Sequence, residues 1–253
     1  MGDFSNAPYK LWGADGSPYS CKIRAVLRYK RLSYVWIPTF SKGAFDGSMW
    51  DEFPKLRAKV IPVLVNADGT YANDSTPLIK QLDASHPHRS VQSQNGAVNF
   101  LADVLEDFAD EWCTKVMFEQ RFHTEELGKF GAAFQMRQKA VKMDSSARNA
   151  IIEAFVRRQR GRRDLVGSSN WSVMELTLRT VCECIEENLD EGIPFLFGTL
   201  PTQADFAMYG QLRQGLNDAI SAKVMRQYPG AWGWVSSTSF IHKILTKVYH
   251  NGI

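Results

Sequence analysis

Two hydroxyls and a thiol stand together at the start of an amphipathic stretch, Ser17-Pro18-Tyr19-Ser20-Cys21-Lys22-Ile23-Arg24. The turn Ala14-Asp15-Gly16 precedes them, and Ile23, Val26, Leu27 and Lys30 then recur at helical spacing. Serine before proline has the form of an N-cap with proline in the first helical position. A hydroxyl so placed can cap the helix, or it can donate to a bound anion in the positive field of the helix start. Further along, Val60-Ile61-Pro62-Val63-Leu64 sets a proline at the mouth of an apolar run, and Asn73-Asp74-Ser75-Thr76 opens a second helical pattern. An acid and a hydroxyl at a helix start make a cap, an anion seat, or both.

The surrounding pattern predicts the elements that hold these residues. Tyr9 to Gly13 is a short apolar strand, and the aromatic and β-branched run Ser33 to Phe40 is a second. Ile61 to Val65 and Thr70 to Ala72 flank the turn-forming Asn66-Ala67-Asp68-Gly69 as a hairpin, and Pro77 to Ser85 is helical. The order β-α-β, an irregular helical stretch, then β-β-α predicts an α/β thioredoxin-like domain over residues 1–86. His86-Pro87-His88 begins a polar connection, and residues 97–253 read as an all-α domain. There Leu101, Leu105, Phe108 and Trp112 recur at helical spacing, as do Leu176, Thr180 and Cys184 with Leu178 and Val181 beside them.

Bulk properties exclude several classes. The chain has 253 residues, 44% of them hydrophobic, and a net charge of +3, so no nucleic-acid or membrane partner is demanded. Cys21, Cys113, Cys182 and Cys184 suggest reduced thiols, and Cys182 and Cys184 point to different sides of a helix. The five histidines lack zinc spacing, so no metal is expected. With no apolar membrane span, no signal-type start and Asn6 where myristoylation needs Ser or Thr, the expected location is cytoplasmic. The run Arg157-Arg158-Gln159-Arg160-Gly161-Arg162-Arg163 reads as a solvated helix end complementing the dipole, since no aromatics interleave it as nucleic-acid binding would favour.

Together these motifs resemble the cytosolic glutathione transferase superfamily over nearly the whole chain. Ser17 matches the catalytic position of serine-type classes such as tau and zeta, with Ser20 as second choice. Serines replace both cysteines of a dithiol glutaredoxin, so dithiol chemistry is disfavoured; Cys21 reads as a buried structural thiol. In such proteins the hydroxyl donates to the thiolate of glutathione. A charge-assisted hydrogen bond contributes about 1.5–3 kcal/mol, or roughly one to two pKa units, and the thiolate is the nucleophile.

The resemblance further implies a cis Pro62, with Ile61 offering its backbone to the cysteinyl part of glutathione. It implies Ser75 and the helix N–H groups on the γ-glutamyl carboxylate, Asp74 facing the γ-glutamyl ammonium, and Tyr19 at the glutathione site. Lys42 and Lys59 are candidates for the glycyl carboxylate. Trp112 and Phe118 are candidates for the second-substrate pocket, although aromatics at helical spacing are more often core. Gly198-Thr199-Leu200-Pro201-Thr202-Gln203-Ala204-Asp205 resembles the G-x-x-x-T-x-A-D segment of the helical domain, with Thr202 and Asp205 forming a capping box. The expected protein is a homodimeric detoxification enzyme that joins glutathione, as co-substrate, to a small hydrophobic electrophile. Isomerisation, ether cleavage or reduction on the same fold, or a non-catalytic binding module, are the alternatives.

Overall fold

The computed structural model describes residues 8–41, 47–140 and 144–236. Its first domain is a four-stranded mixed sheet. β1 (Tyr9–Gly13), α1 (Pro18–Tyr29) and β2 (Tyr34–Pro38) form a parallel β-α-β unit, followed by 3₁₀ turns at Thr39–Ser41 and Ser48–Glu52. The hairpin β3 (Val63–Val65) and β4 (Tyr71–Asn73) comes next, then α2 (Ser75–Ser85). Strand order is β2-β1-β3-β4. This is a thioredoxin-like domain, as the element order predicts.

Alternation along the strands assigns each face its core. Leu11 and Leu64, paired across β1 and β3, pack with Ile23, Val26, Leu27, Leu78, Ile79 and Leu82. The neighbouring pair Trp12 and Val63 lies on the opposite face, against Met49 of the second 3₁₀ turn and Phe53 just after it. The hairpin turn closes with Asn66 N–H on the Thr70 carbonyl (2.8 Å), and Gly69 takes the left-handed conformation (φ +82°) that favours glycine.

The second domain is helical: α3 (Gly96–Asp107), a π-helical segment (Phe108–Cys113), α4 (Thr114–Phe122), α5 (Glu125–Ala140), α6 (Ser145–Leu165), α7 (Trp171–Asp190), α8 (Gln203–Gly215), α9 (Ala219–Met225) and α10 (Pro229–Ser236). α8 lies against α1 so closely that a Cβ on Gly210 would come within 2.5 Å of the Pro18 carbonyl oxygen. Tyr29 of α1 packs on Phe206 of α8 with ring centroids 5.4 Å apart, so one core runs through both domains.

At the start of α8, Asp205 reaches back to the Thr202 N–H (2.8 Å) and also accepts from the Leu196 N–H (2.8 Å), completing the expected capping box. Complete burial pushes its carboxyl up to about 6. In the arginine run, Arg160 donates to the Phe122 and His123 carbonyls at the end of α4 (3.1 and 3.2 Å), and Arg163 pairs with the buried Glu119. The run therefore serves a neighbouring helix end as well as its own.

Two helices follow their apolar spacing only in part: Phe108, Trp112, Leu178 and Val181 pack in the main core, but other members of the expected stripes do not. In α3 and the π segment the inward side carries Ala102, Glu106, Ala109, Asp110 and Cys113, while Phe100 (66%), Leu101 (49%) and Val104 (48%) are exposed. The cause is a lysine from the first domain that needs counter-charges. In α7 the buried stripe is Met174, Leu178, Cys182 and Ile185, leaving Leu176 64% exposed and Cys184 exposed.

Candidate functional site

Strand direction alone brings the three motifs together. β3 runs antiparallel to β1 and β4, with Val63 paired to Trp12 on one side and Asn73 on the other. The C-terminal ends of β1 and β4 and the N-terminal end of β3 therefore lie at one end of the sheet. Ser17, Pro62 and Asp74-Ser75 all leave the strands there.

Ser17 is the N-cap of α1, in extended conformation, and its Oγ accepts the Ser20 N–H (3.2 Å). A hydroxyl keeps its own hydrogen to donate while accepting, so capping and donation to a ligand are compatible. Ser17 is half-buried, whereas Ser20 is fully buried and its Oγ accepts the Ala14 N–H (3.2 Å). The fold thus turns Ser20 toward the end of β1. Tyr19 donates to the Asp110 carbonyl (2.9 Å), and burial pushes its phenol up to about 12, so it stays protonated at neutral pH. Cys21 is buried, its thiol raised by desolvation and directed at the Asp15 carbonyl (3.6 Å).

The Ile61–Pro62 bond is cis, with Pro62 buried and Ile61 half-buried. Asp74 is the N-cap of α2 at φ +75°, in the left-handed range that non-glycine residues seldom occupy. Its exposed carboxylate makes no capping hydrogen bond, so the first N–H groups of α2 are not satisfied by their own cap. Lys59 is exposed beside this region, and Lys42 lies outside the described residues. Trp112 packs against the core and donates to Thr177 Oγ1 (3.1 Å), while Phe118 stacks near Phe122 (6.0 Å).

Behind the α2 start lies a cluster that the motifs do not include. Lys22 is fully buried, and its Nζ donates to Glu106 Oε1 (2.5 Å), Asp110 Oδ2 (2.6 Å) and Ser75 Oγ (3.3 Å). Ser75 in turn donates to Asp110 Oδ2 (3.3 Å), and Thr76 to Glu106 Oε1 (2.5 Å). One ammonium thus faces two carboxylates, leaving a formal charge of −1 between the domains. Desolvation raises the Asp110 carboxyl although Lys22 opposes the shift, and Asp110 Oδ1 has no hydrogen-bond partner. The buried Ser75 hydroxyl is therefore engaged inside the protein, between Lys22 and Asp110. The signal was present in the sequence: Lys22 falls on the apolar stripe of its helix, and a buried charge demands a counter-ion.

Residues 11–90 match the family model of the glutathione S-transferase N-terminal domain. Over that span the chain matches the glutathione S-transferase N-terminal domain, and its fold is similar to that of solved glutathione transferases. Solved glutathione transferase folds align over both domains. A glutathione S-transferase from Rhodospirillum rubrum is 20% identical, covering 92% of this chain and 90% of that one, with a TM-score of 0.57. The β-etherase LigF from a Sphingobium strain is 16% identical over 95% and 99%, with a TM-score of 0.61. A glutathione S-transferase from Methylobacterium radiotolerans, in complex with glutathione sulfonate, is 18% identical over 93% and 94%, with a TM-score of 0.55. At these identities the property shared is the fold. No curated protein matches the sequence. Among the described residues of this glutathione transferase fold, no group of His, Cys, Asp and Glu could hold a metal ion, and no helix is long and apolar enough to cross a membrane.

Proposed function

We propose that the chain is a serine-type glutathione transferase in which Ser17 donates to the glutathione sulfur and holds it as thiolate for attack on a small hydrophobic electrophile. The observation that carries this reading is the convergence of the Ser17 cap, the cis Ile61–Pro62 bond and the α2 start at one end of the sheet. The hydroxyl and the start of α1 both favour an anion at the sulfur. Ile61 supplies backbone to the cysteinyl part of the tripeptide. Because the Ser75 side chain is engaged with Lys22 and Asp110, the γ-glutamyl carboxylate is met by the N–H groups of α2, and the exposed Asp74 faces the ammonium. The Phe100, Leu101 and Val104 face of α3 supports a homodimer, and the expected setting is the cytoplasm.

The test is Ser17→Ala, compared with the native chain by calorimetry with glutathione and by turnover across an electrophile panel. Glutathione association with turnover lost in the variant is the expected result; unchanged turnover removes Ser17 from the reaction. A second reading, a binding module without catalysis, is favoured by the engaged Ser75 hydroxyl and the negative charge behind a carboxylate seat. Glutathione association without turnover in the native chain would establish it.

A further inference from the structure

We propose that Arg121 is a positioning residue that fixes Ser17 from the helical domain, an inference that rests on the reading of Ser17 above. Arg121, at the end of α4, is buried, and its guanidinium is used on three sides. Its Nε donates to both oxygens of Asp218 (2.8 and 3.1 Å), Nη1 to the Gly16 carbonyl (3.0 Å), and Nη2 to Gln214 Oε1 (2.9 Å). Gln214, also buried, passes the contact on: its Nε2 donates to the Asp15 carbonyl (3.2 Å) and approaches Cys21 Sγ (3.4 Å). The helical domain thereby holds two consecutive carbonyls just before Ser17, while the Ser17 N–H closes the turn onto Ala14 (3.0 Å).

These acceptors are backbone atoms, so the grip sets the loop's position whatever its side chains. Asp218 neutralises the guanidinium, so Arg121 adds geometry to the site and little net charge. Two glycines make room for the arrangement. A Cβ on Gly131 of α5 would lie 3.1 Å from Arg121 Cγ, and one on Gly16 would lie 2.2 Å from Gln135 Cδ. A hydrogen bond weakens steeply with misalignment, so a small drift of the Gly16–Ser17 peptide weakens the bond to the sulfur before it weakens tripeptide binding.

The experiment titrates the thiolate absorbance of glutathione bound to the native chain, Arg121→Lys and Gly131→Ala, alongside kcat and KM as functions of pH. Lysine keeps the charge but cannot span three acceptors in one plane, and the added methyl removes no hydrogen-bonding group. In both variants the bound thiol's pKa should rise by about one unit, lowering kcat about tenfold below that pKa with recovery at higher pH. KM should change by less than about threefold. A folded Arg121→Lys protein with the native thiol pKa and pH profile overturns the proposal, as does a loss of kcat equal at every pH. If the native chain binds no glutathione, the reading of the site fails separately. Amide exchange then decides the clamp: exchange at Ser17 and Tyr19 at least about tenfold faster in Arg121→Lys supports it, and unchanged exchange overturns it.

Discussion

Replacing Lys22 with Met tests the physical idea that the two domains are joined through a buried charge cluster. The substitution keeps most of the side chain's volume and removes the ammonium, so Glu106 and Asp110 are left buried with two negative charges and no cation. Breaking a buried pair in this way costs about 3–5 kcal/mol. Against a urea dependence of about 3 kcal/mol/M, the unfolding midpoint at pH 7.5 should fall by roughly 1–1.7 M. The deficit should also depend on pH in a definite direction. Burial already raises the Asp110 carboxyl, and Lys22 is what holds it down. Without the lysine the folded state binds a proton more tightly than the unfolded chain does. A group raised on folding contributes stability below its unfolded pKa and loses it as pH rises through the folded one. Lys22→Met should therefore approach native stability near pH 5, and the triple variant Lys22→Met, Glu106→Gln, Asp110→Asn should regain stability at pH 7.5. A loss below about 1 kcal/mol at pH 7.5, with no gain on acidification, would refute the account of the interface.

Gly210→Ala forces a methyl onto the Pro18 carbonyl and should lower stability by about 1–3 kcal/mol despite alanine's helix preference, read as a fall of several degrees in Tm. Gly161→Ala, on α6 with open space around it, should instead gain up to about 1 kcal/mol. Asp205 gives a second pH signature: with its carboxyl raised to about 6, the native chain should lose stability as pH climbs from about 4 through 6. Asp205→Asn should flatten that slope, while costing about 1–3 kcal/mol for the altered capping network; a slope that persists would place the titrating group elsewhere.

The first domain was legible because its signals are local. Proline after serine, a turn-rich hairpin and period-two strands each fix a short element, and strand direction then gathers the motif residues without further information. Thr202 and Asp205 were legible for the same reason, a capping box being written in four residues. The orientation of α3 was not. Of its apolar residues at 101, 105 and 108, Phe108 packs on the core but Leu101 is exposed, and the buried side holds Glu106 and Asp110, which meet a lysine many residues earlier. Periodicity registers one helix at a time and cannot register a partner on another. The same limit hid the engagement of Ser75, whose motif is intact although its hydroxyl is turned inward. Arg121 escaped for a related reason: a lone arginine in a short helix acquires meaning only from Asp218 and the carbonyl of Gly16.

The intimacy of α1 with α8 bears on how such a chain can be cut or recombined. A fragment ending at the polar connector would carry an inner flank shaped to receive a foreign glycine, with a bare ammonium stranded in an oily bed. Grafting this half onto another helical partner would require the newcomer to supply a pair of acids one turn apart and a gap at the crossing. The portable unit is the whole chain, and exchange of either half alone rewrites the other.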